Sequence, residues 1–299
     1  MGWGESAALL TAMSWAISSQ INGAIGFLVG ASSISLLRMP FQICFLALAC
    51  LVGAEEFALS PKALLFITLS GVTGTALGDL CLYKAIVIIG TRAGILLQSL
   101  VTSFTALFGL LFLGEALSWQ LVAGIALATF GVGTAVTAGS ERSIPPGQAP
   151  PSRREIRQGV FLGLLGAVFF ALSLIALRAA MQDGLDSLYG AFLRALLGGA
   201  ALWLMGIPGR WPQNAVRSAR ANPVILRKLT LSCLLGALGM WMSCVALRFT
   251  QASIAATIMG LQPIWVIITF ALWERRLPSS RIVFGALAAF GGTAVVCLR

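Results

Sequence analysis

Ten apolar runs, each near the length needed to cross a bilayer, constrain this chain more than any other feature. They lie at about 6–29, 32–53, 63–89, 94–113, 119–138, 158–181, 187–207, 228–248, 251–272 and 281–298. A spanning helix needs about 20 mostly apolar residues. Apolar residues make up 58% of the chain and charged residues 10%, against about 25% charged in ordinary soluble domains. A soluble fold of 299 residues would need far more polar surface to cover itself. The expected fold is an all-α polytopic membrane protein with ten transmembrane helices.

The net charge of +10 does not point to nucleic acid. The basic residues sit in short segments between apolar runs, which is the signature of membrane orientation. All six cysteines, Cys44, Cys50, Cys81, Cys233, Cys244 and Cys297, lie in apolar segments, and none forms a CxxC pair. They read as small buried hydrophobes. The chain has no histidine, which removes the commonest metal ligand and the usual base near neutral pH. No metal or cofactor is expected. The opening MGWGESAALL lacks a basic region, so the first apolar run is expected to remain in the mature protein.

Two segments are polar enough to be true loops. GSERSIPPGQAPPSRREI (139–156) divides the chain almost in half, and PGRWPQNAVRSARANPVILRK covers 208–228. The halves resemble each other. LLRMPF (36–41) parallels FLRALL (192–197), each with one arginine, Arg38 and Arg194. Gly78 to Ala85 matches Gly239 to Ala246 at a shift of 161, and Thr102 then faces Pro263. LFLGEALSW (111–119) parallels FALWERRLP (270–278), pairing Glu115 with Glu274, and LVAGIALATFGVGTAV (121–136) parallels IVFGALAAFGGTAVV (282–296). The reading is repeat one at 1–138, a polar Pro/Arg-rich loop at 139–157 and repeat two at 158–299. Five helices is an odd number, so the second copy enters the membrane from the opposite side. Inverted repeats are typical of alternating-access transporters, with substrate held near the midplane. Across the odd-numbered connections there are 14 Lys and Arg, against 4 in the even-numbered connections and the termini. The bias places the odd connections, loop 139–157 included, in the cytoplasm.

These residues resemble the EamA-type members of the drug/metabolite transporter superfamily. The likeness rests on the arginine in the second helix of each repeat, the G-x6-A pattern closing the third, and the glutamate followed by a Gly-rich last helix. It covers nearly the whole chain. Within the superfamily the sequence is most similar to aromatic amino-acid exporters of the YddG type, which implies an efflux carrier of a bacterial inner membrane with a central cavity between repeats. One departure is that repeat one has Thr102 where repeat two has Pro263. A symmetric gating role for that proline does not follow.

Asp79 is the only acidic residue deep inside a run. A charge there costs on the order of 2.5–3.5 kcal/mol by insertion scales, so an intramembrane ionisable group is a functional hypothesis by default. It can line a wet cavity, binding a substrate ammonium or carrying a proton, or it can pair internally with Arg38 or Arg194. Tyr83 follows on the same helix face. Lys84 is close enough to the helix end to snorkel. Arg38 and Arg194 suit helix bridging, or recognition of a carboxylate. Gln98, Ser99, Thr102, Ser103 and Thr105 bring polar atoms into one span, Gln20 and Asn22 into another, and Gln262 beside Pro263 into a third. Hydroxyls can bond back to their own helix; an amide facing lipid is costly. Trp3, Trp119, Trp203, Trp211 and Trp273 lie near run ends, as interface belts do. Trp15, Trp241 and Trp265 lie inside runs, where they pack or stack on ligand.

The expectation is an exporter of small metabolites, foremost aromatic and other amino acids, working by alternating access. The substrate-binding set is Asp79, Tyr83, Gln98, Ser99, Thr102, Gln20 and Trp265; Arg38, Arg194 and Pro263 are structural or gating. Efflux of lipophilic or toxic cations, with Asp79 as counter-charge, is the alternative. No catalytic cluster points to an enzyme. Partners are the bilayer and the small molecule carried; a monomer is compatible with this organisation.

Overall fold

A computed structural model describes residues 2–53, 59–98, 100–115, 118–138, 152–211, 213, 215–217, 223–274 and 279–297. Every regular element among them is helical. That is what a hydrocarbon solvent demands, because each backbone N–H and C=O must be satisfied within its own segment. The first half contains α1 (Trp3–Val29), α2 (Ala31–Gly53), α3 (Pro61–Ser70), a π-helical segment (Gly71–Gly78), α4 (Asp79–Ile89), α5 (Thr91–Gln98), α6 (Leu100–Phe108), a second π-helical segment (Gly109–Leu113) and α7 (Trp119–Ala138). The second half contains α8 (Arg153–Gln182), α9 (Ser187–Gly206), α10 (Pro223–Phe249), α11 (Ala252–Met259), α12 (Gln262–Glu274) and α13 (Ser280–Cys297).

Among the described residues, six stretches are long and apolar enough to span a membrane: Ala31–Gly53, Pro61–Ile89, Arg153–Gln182, Ser187–Gly206, Ile225–Phe249 and Ala252–Thr269. Leu100–Leu113, Trp119–Gly131 and Val283–Thr293 are shorter apolar helices. The remaining expected spans differ for local reasons. α1 has 27 residues, but Thr11, Ser14, Ser18, Ser19 and Asn22 lower its hydropathy. All five are buried against protein rather than lipid.

Caps and turns set the helix ends. The Ser60 hydroxyl accepts from the Ala63 amide, with Pro61 filling the first turn. Ser152 and Glu155 form a reciprocal capping box at α8. Gly30 and Gly90, at φ 87° and 89°, reverse the chain between consecutive helices within one residue, a backbone state that costs glycine nothing.

Packing is closest along glycines. α7 lies against α13: a Cβ at Gly131 would sit 2.6 Å from the Gly285 carbonyl oxygen, and one at Gly292 2.6 Å from the Gly124 carbonyl oxygen. α1 lies against α10, and α3 and α4 against α8. Large apolar side chains such as Leu51, Leu65, Phe161, Phe284 and Leu287 are exposed on the outside of the bundle. That face is the one lipid would cover.

Candidate functional site

Several of the polar residues that sequence alone leaves stranded in apolar runs converge on one cavity inside the bundle. Its volume is about 60 Å³, and its wall includes Arg38, Gln42, Asp79, Tyr83, Arg194 and Gln262. A neighbouring chamber of about 40 Å³ shares Trp15, Gln98, Phe170 and Gln262 with it. That chamber is otherwise lined chiefly by apolar groups, including Val101, Leu174, Met259 and Pro263. The site therefore has a charged end and an oily end.

The charged end is placed by an unusual stretch of helix. GVTGTALG (71–78) winds as a π-helix immediately before Asp79, a local widening often found at functional sites. Its small residues let α9 come close. A Cβ at Gly71 would lie 2.8 Å from the Arg194 carbonyl oxygen, and one at Gly74 2.9 Å from Nη2 of Arg194. Larger residues here would push the guanidinium out of its place.

Asp79 pairs with Arg38 of α2. The same guanidinium donates to the Tyr83 hydroxyl at 3.2 Å and lies 5.1 Å from the centre of that ring. Asn22 donates to the Tyr83 hydroxyl at 3.1 Å, and its own carbonyl accepts from Ser232 at 2.7 Å. One network thus ties α1, α2, α4 and α10 around the cavity. Arg38 and Asp79 are 6% and 8% exposed, so the pair is desolvated yet still forms wall.

Arg194 has a different environment. It is 2% exposed, and no carboxylate pairs with it among the described residues. Its partners are two neutral hydroxyls, Ser173 at 3.0 Å and Ser243 at 3.4 Å. Each hydroxyl spends its own hydrogen elsewhere, on the Ser70 and Met240 carbonyls. Nε of Arg194 has no hydrogen-bond partner among the described residues.

Of the residues expected from sequence, Asp79, Tyr83, Gln98, Thr102, Arg38, Arg194 and Pro263 line the two chambers. The Thr102 hydroxyl donates across to the Ala256 carbonyl of α11 at 3.2 Å rather than to its own helix. Pro263 sits in the first turn of α12, where its missing N–H costs nothing. Gln20 and Trp265 line neither chamber. Gln20 donates to the Thr269 hydroxyl at 2.6 Å, and Trp265 packs edge-on against Phe290. Ser99 lies outside the described residues.

Gln42, Phe170 and Met240 line the cavity without having been singled out from sequence. Gln42 had a signal, a lone amide one turn beyond Arg38 in an apolar run. Phe170 and Met240 had none, because apolar residues in a spanning run are the expected background.

A second polar cluster stands away from this cavity. Glu115 is buried and accepts from the Ala252 amide at 2.7 Å, the Ser253 amide at 3.3 Å and the Ser253 hydroxyl at 2.9 Å. It caps the start of α11. Arg178 donates to the Leu247 and Arg248 carbonyls at the end of α10. Together they clamp the α10–α11 corner.

Apolar helices closed around a small polar chamber with buried charges define a multi-pass membrane protein that handles small molecules. The chain belongs to the EamA-like transporter family, whose sequence profile matches residues 2–137 and again 157–298. That family is one of transporters, not enzymes, and the chain is a membrane transporter of small molecules. A solved crystal structure of another protein superposes with a TM-score of 0.73, covering 98% of each chain at 15% identity. At that identity the likeness is one of fold. No curated protein matches the sequence.

Proposed function

We propose that the protein exports small metabolites across a bacterial inner membrane by alternating access between two inverted five-helix repeats. Repeat one is 1–138 and repeat two 158–299, with the loop 139–157 on the cytoplasmic side. Aromatic and other amino acids are the leading substrates. The observation that carries this reading is the two-chambered cavity, one end charged and the other apolar.

The repeat reading draws support from reciprocal contacts. Gly131 and Gly292 are 161 residues apart, the same shift that relates Gly78 to Gly239. Gly131 abuts Gly285 and Ala289, and Gly292 abuts Gly124 and Ala128, again each 161 apart. Gly78 underlies Phe170, and Gly239 underlies Trp15. Each half thus lays one aromatic ring of the cavity wall on a glycine of the other half. The direction of these contacts is antiparallel, as a two-fold axis in the membrane plane requires. Such an axis lets the two halves exchange roles when the site alternates between membrane faces.

Aromatic substrates fit walls carrying Trp15 and Phe170. Cation efflux with Asp79 as counter-charge has less support, since Arg38 already holds that carboxylate. The test is uptake of labelled Phe, Trp and Thr into proteoliposomes, with wild type and Asp79→Asn, with and without a pH gradient. Saturable aromatic uptake with counterflow is expected. Uptake that rises linearly with concentration, or none of any amino acid, sinks the proposal. Loss of uptake in Asp79→Asn only when a gradient is applied assigns proton coupling to Asp79.

A further inference from the structure

We infer that Arg194 is the anchor for a carboxylate on the transported molecule, and that the cavity selects organic acids over amines of the same shape. This rests on the reading that the cavity is the substrate site. Two arginines that look equivalent in sequence differ in their partners. Arg38 and Arg194 stand at matching places in the two halves, and both reach the same cavity. At the 161-residue shift, the position that supplies Asp79 to Arg38 is occupied by Met240. Met240 lies on the cavity wall too, and is buried. One arginine is neutralised and the other is not.

An unpaired buried guanidinium is costly unless a counter-charge arrives, because two hydroxyl acceptors do not replace a carboxylate. The Ser173 and Ser243 hydroxyls hold the Arg194 plane in position. Among the described residues its Nε has no partner, as is also true of Arg38, so the difference between the two arginines is the carboxylate that only Arg38 has. Between them the described cavity residues carry two guanidiniums and one carboxylate, a surplus of one positive charge. A carboxylate complements the Arg194 guanidinium in charge and in its planar, two-oxygen shape. The amide oxygens of Gln42 and Gln98, both on the wall, also lack hydrogen bonds. They can accept from an amino or hydroxyl group beside the carboxylate. The apolar chamber past Trp15 and Phe170 takes the rest of the molecule.

The test is direct binding to the full chain in lipid nanodiscs, read by tryptophan fluorescence, with three probes. These are 3-phenylpropionate, phenylalanine and phenethylamine, which share one ring and chain and differ in charge. The acid is expected to bind at least tenfold more tightly than the amine, with phenylalanine closer to the acid. Arg194→Gln should abolish that preference. Since that variant can fail for lack of folding, Met240→Asp provides a second arm: it gives Arg194 the partner that Arg38 already has. It should weaken 3-phenylpropionate at least tenfold while the protein still elutes as a single species. Equal affinity for acid and amine, no binding of any probe, or acid binding untouched by Met240→Asp would each overturn the inference. Arg194-dependent acid binding without transport in proteoliposomes would leave it standing while export failed. Equal transport of acid and amine would do the reverse.

Discussion

Arg38 and Asp79 meet across two helices, forty-one residues apart in sequence, and their ion pair forms part of a cavity wall. A buried pair of this kind adds little net stability as a pair, yet removing one member leaves the other charge stranded. Asp79→Asn and Arg38→Gln should each destabilise the protein, by about 3 kcal/mol or somewhat less given the hydrated cavity beside them. The double variant should recover much of that loss. Thermal unfolding of all four proteins in one detergent gives the coupling; losses that simply add would count against the pair.

Tyr83 links this pair to α1. Its hydroxyl accepts from both Arg38 and Asn22. Tyr83→Phe removes an acceptor shared by two buried donors, at a cost of about 1–3 kcal/mol. The substitution keeps the ring and therefore the cation–π contact with Arg38. A lowered melting temperature is expected.

Glu115 works at the α10–α11 corner. It is the acceptor for two first-turn amides of α11. Glu115→Ala should cost about 1–2 kcal/mol, in the range of a lost helix cap. Glu115→Gln should cost less, because an amide oxygen still accepts. Hydrogen exchange at Ala252 and Ser253 should accelerate in the alanine variant first.

Gly131 and Gly292 test the reciprocal packing of α7 and α13. Either one changed to leucine would drive a side chain into backbone of the facing helix. Overpacking of this kind costs about 1–3 kcal/mol. The two variants should fall by similar amounts. A large loss at one and none at the other would argue against the reciprocal arrangement.

Much of the architecture was legible in the sequence. Apolar runs about 20 residues long have few ways to satisfy their backbone outside a helix, and their spacing places most element ends within a few residues of those observed. Asp79, Tyr83, Arg38 and Arg194 stood out because polar groups in apolar runs are expensive. Gln20 stood out for the same reason and Trp265 as an aromatic ring inside a run, and both went elsewhere, to Thr269 and Phe290. A polar residue in a span must find a partner, but its sequence does not say which one.

The sequence by itself determined that this chain is helical, lies in a membrane and carries charges it cannot leave in lipid. Those outcomes follow from composition and period, which are local properties. The tertiary structure alone decided that Arg38 meets Asp79 while Arg194 meets only serines. It also decided that Met240 and Phe170 become cavity wall. Such outcomes depend on which helix faces come together, and that is fixed by close glycine contacts such as Gly71 against Gly198, between residues more than a hundred positions apart.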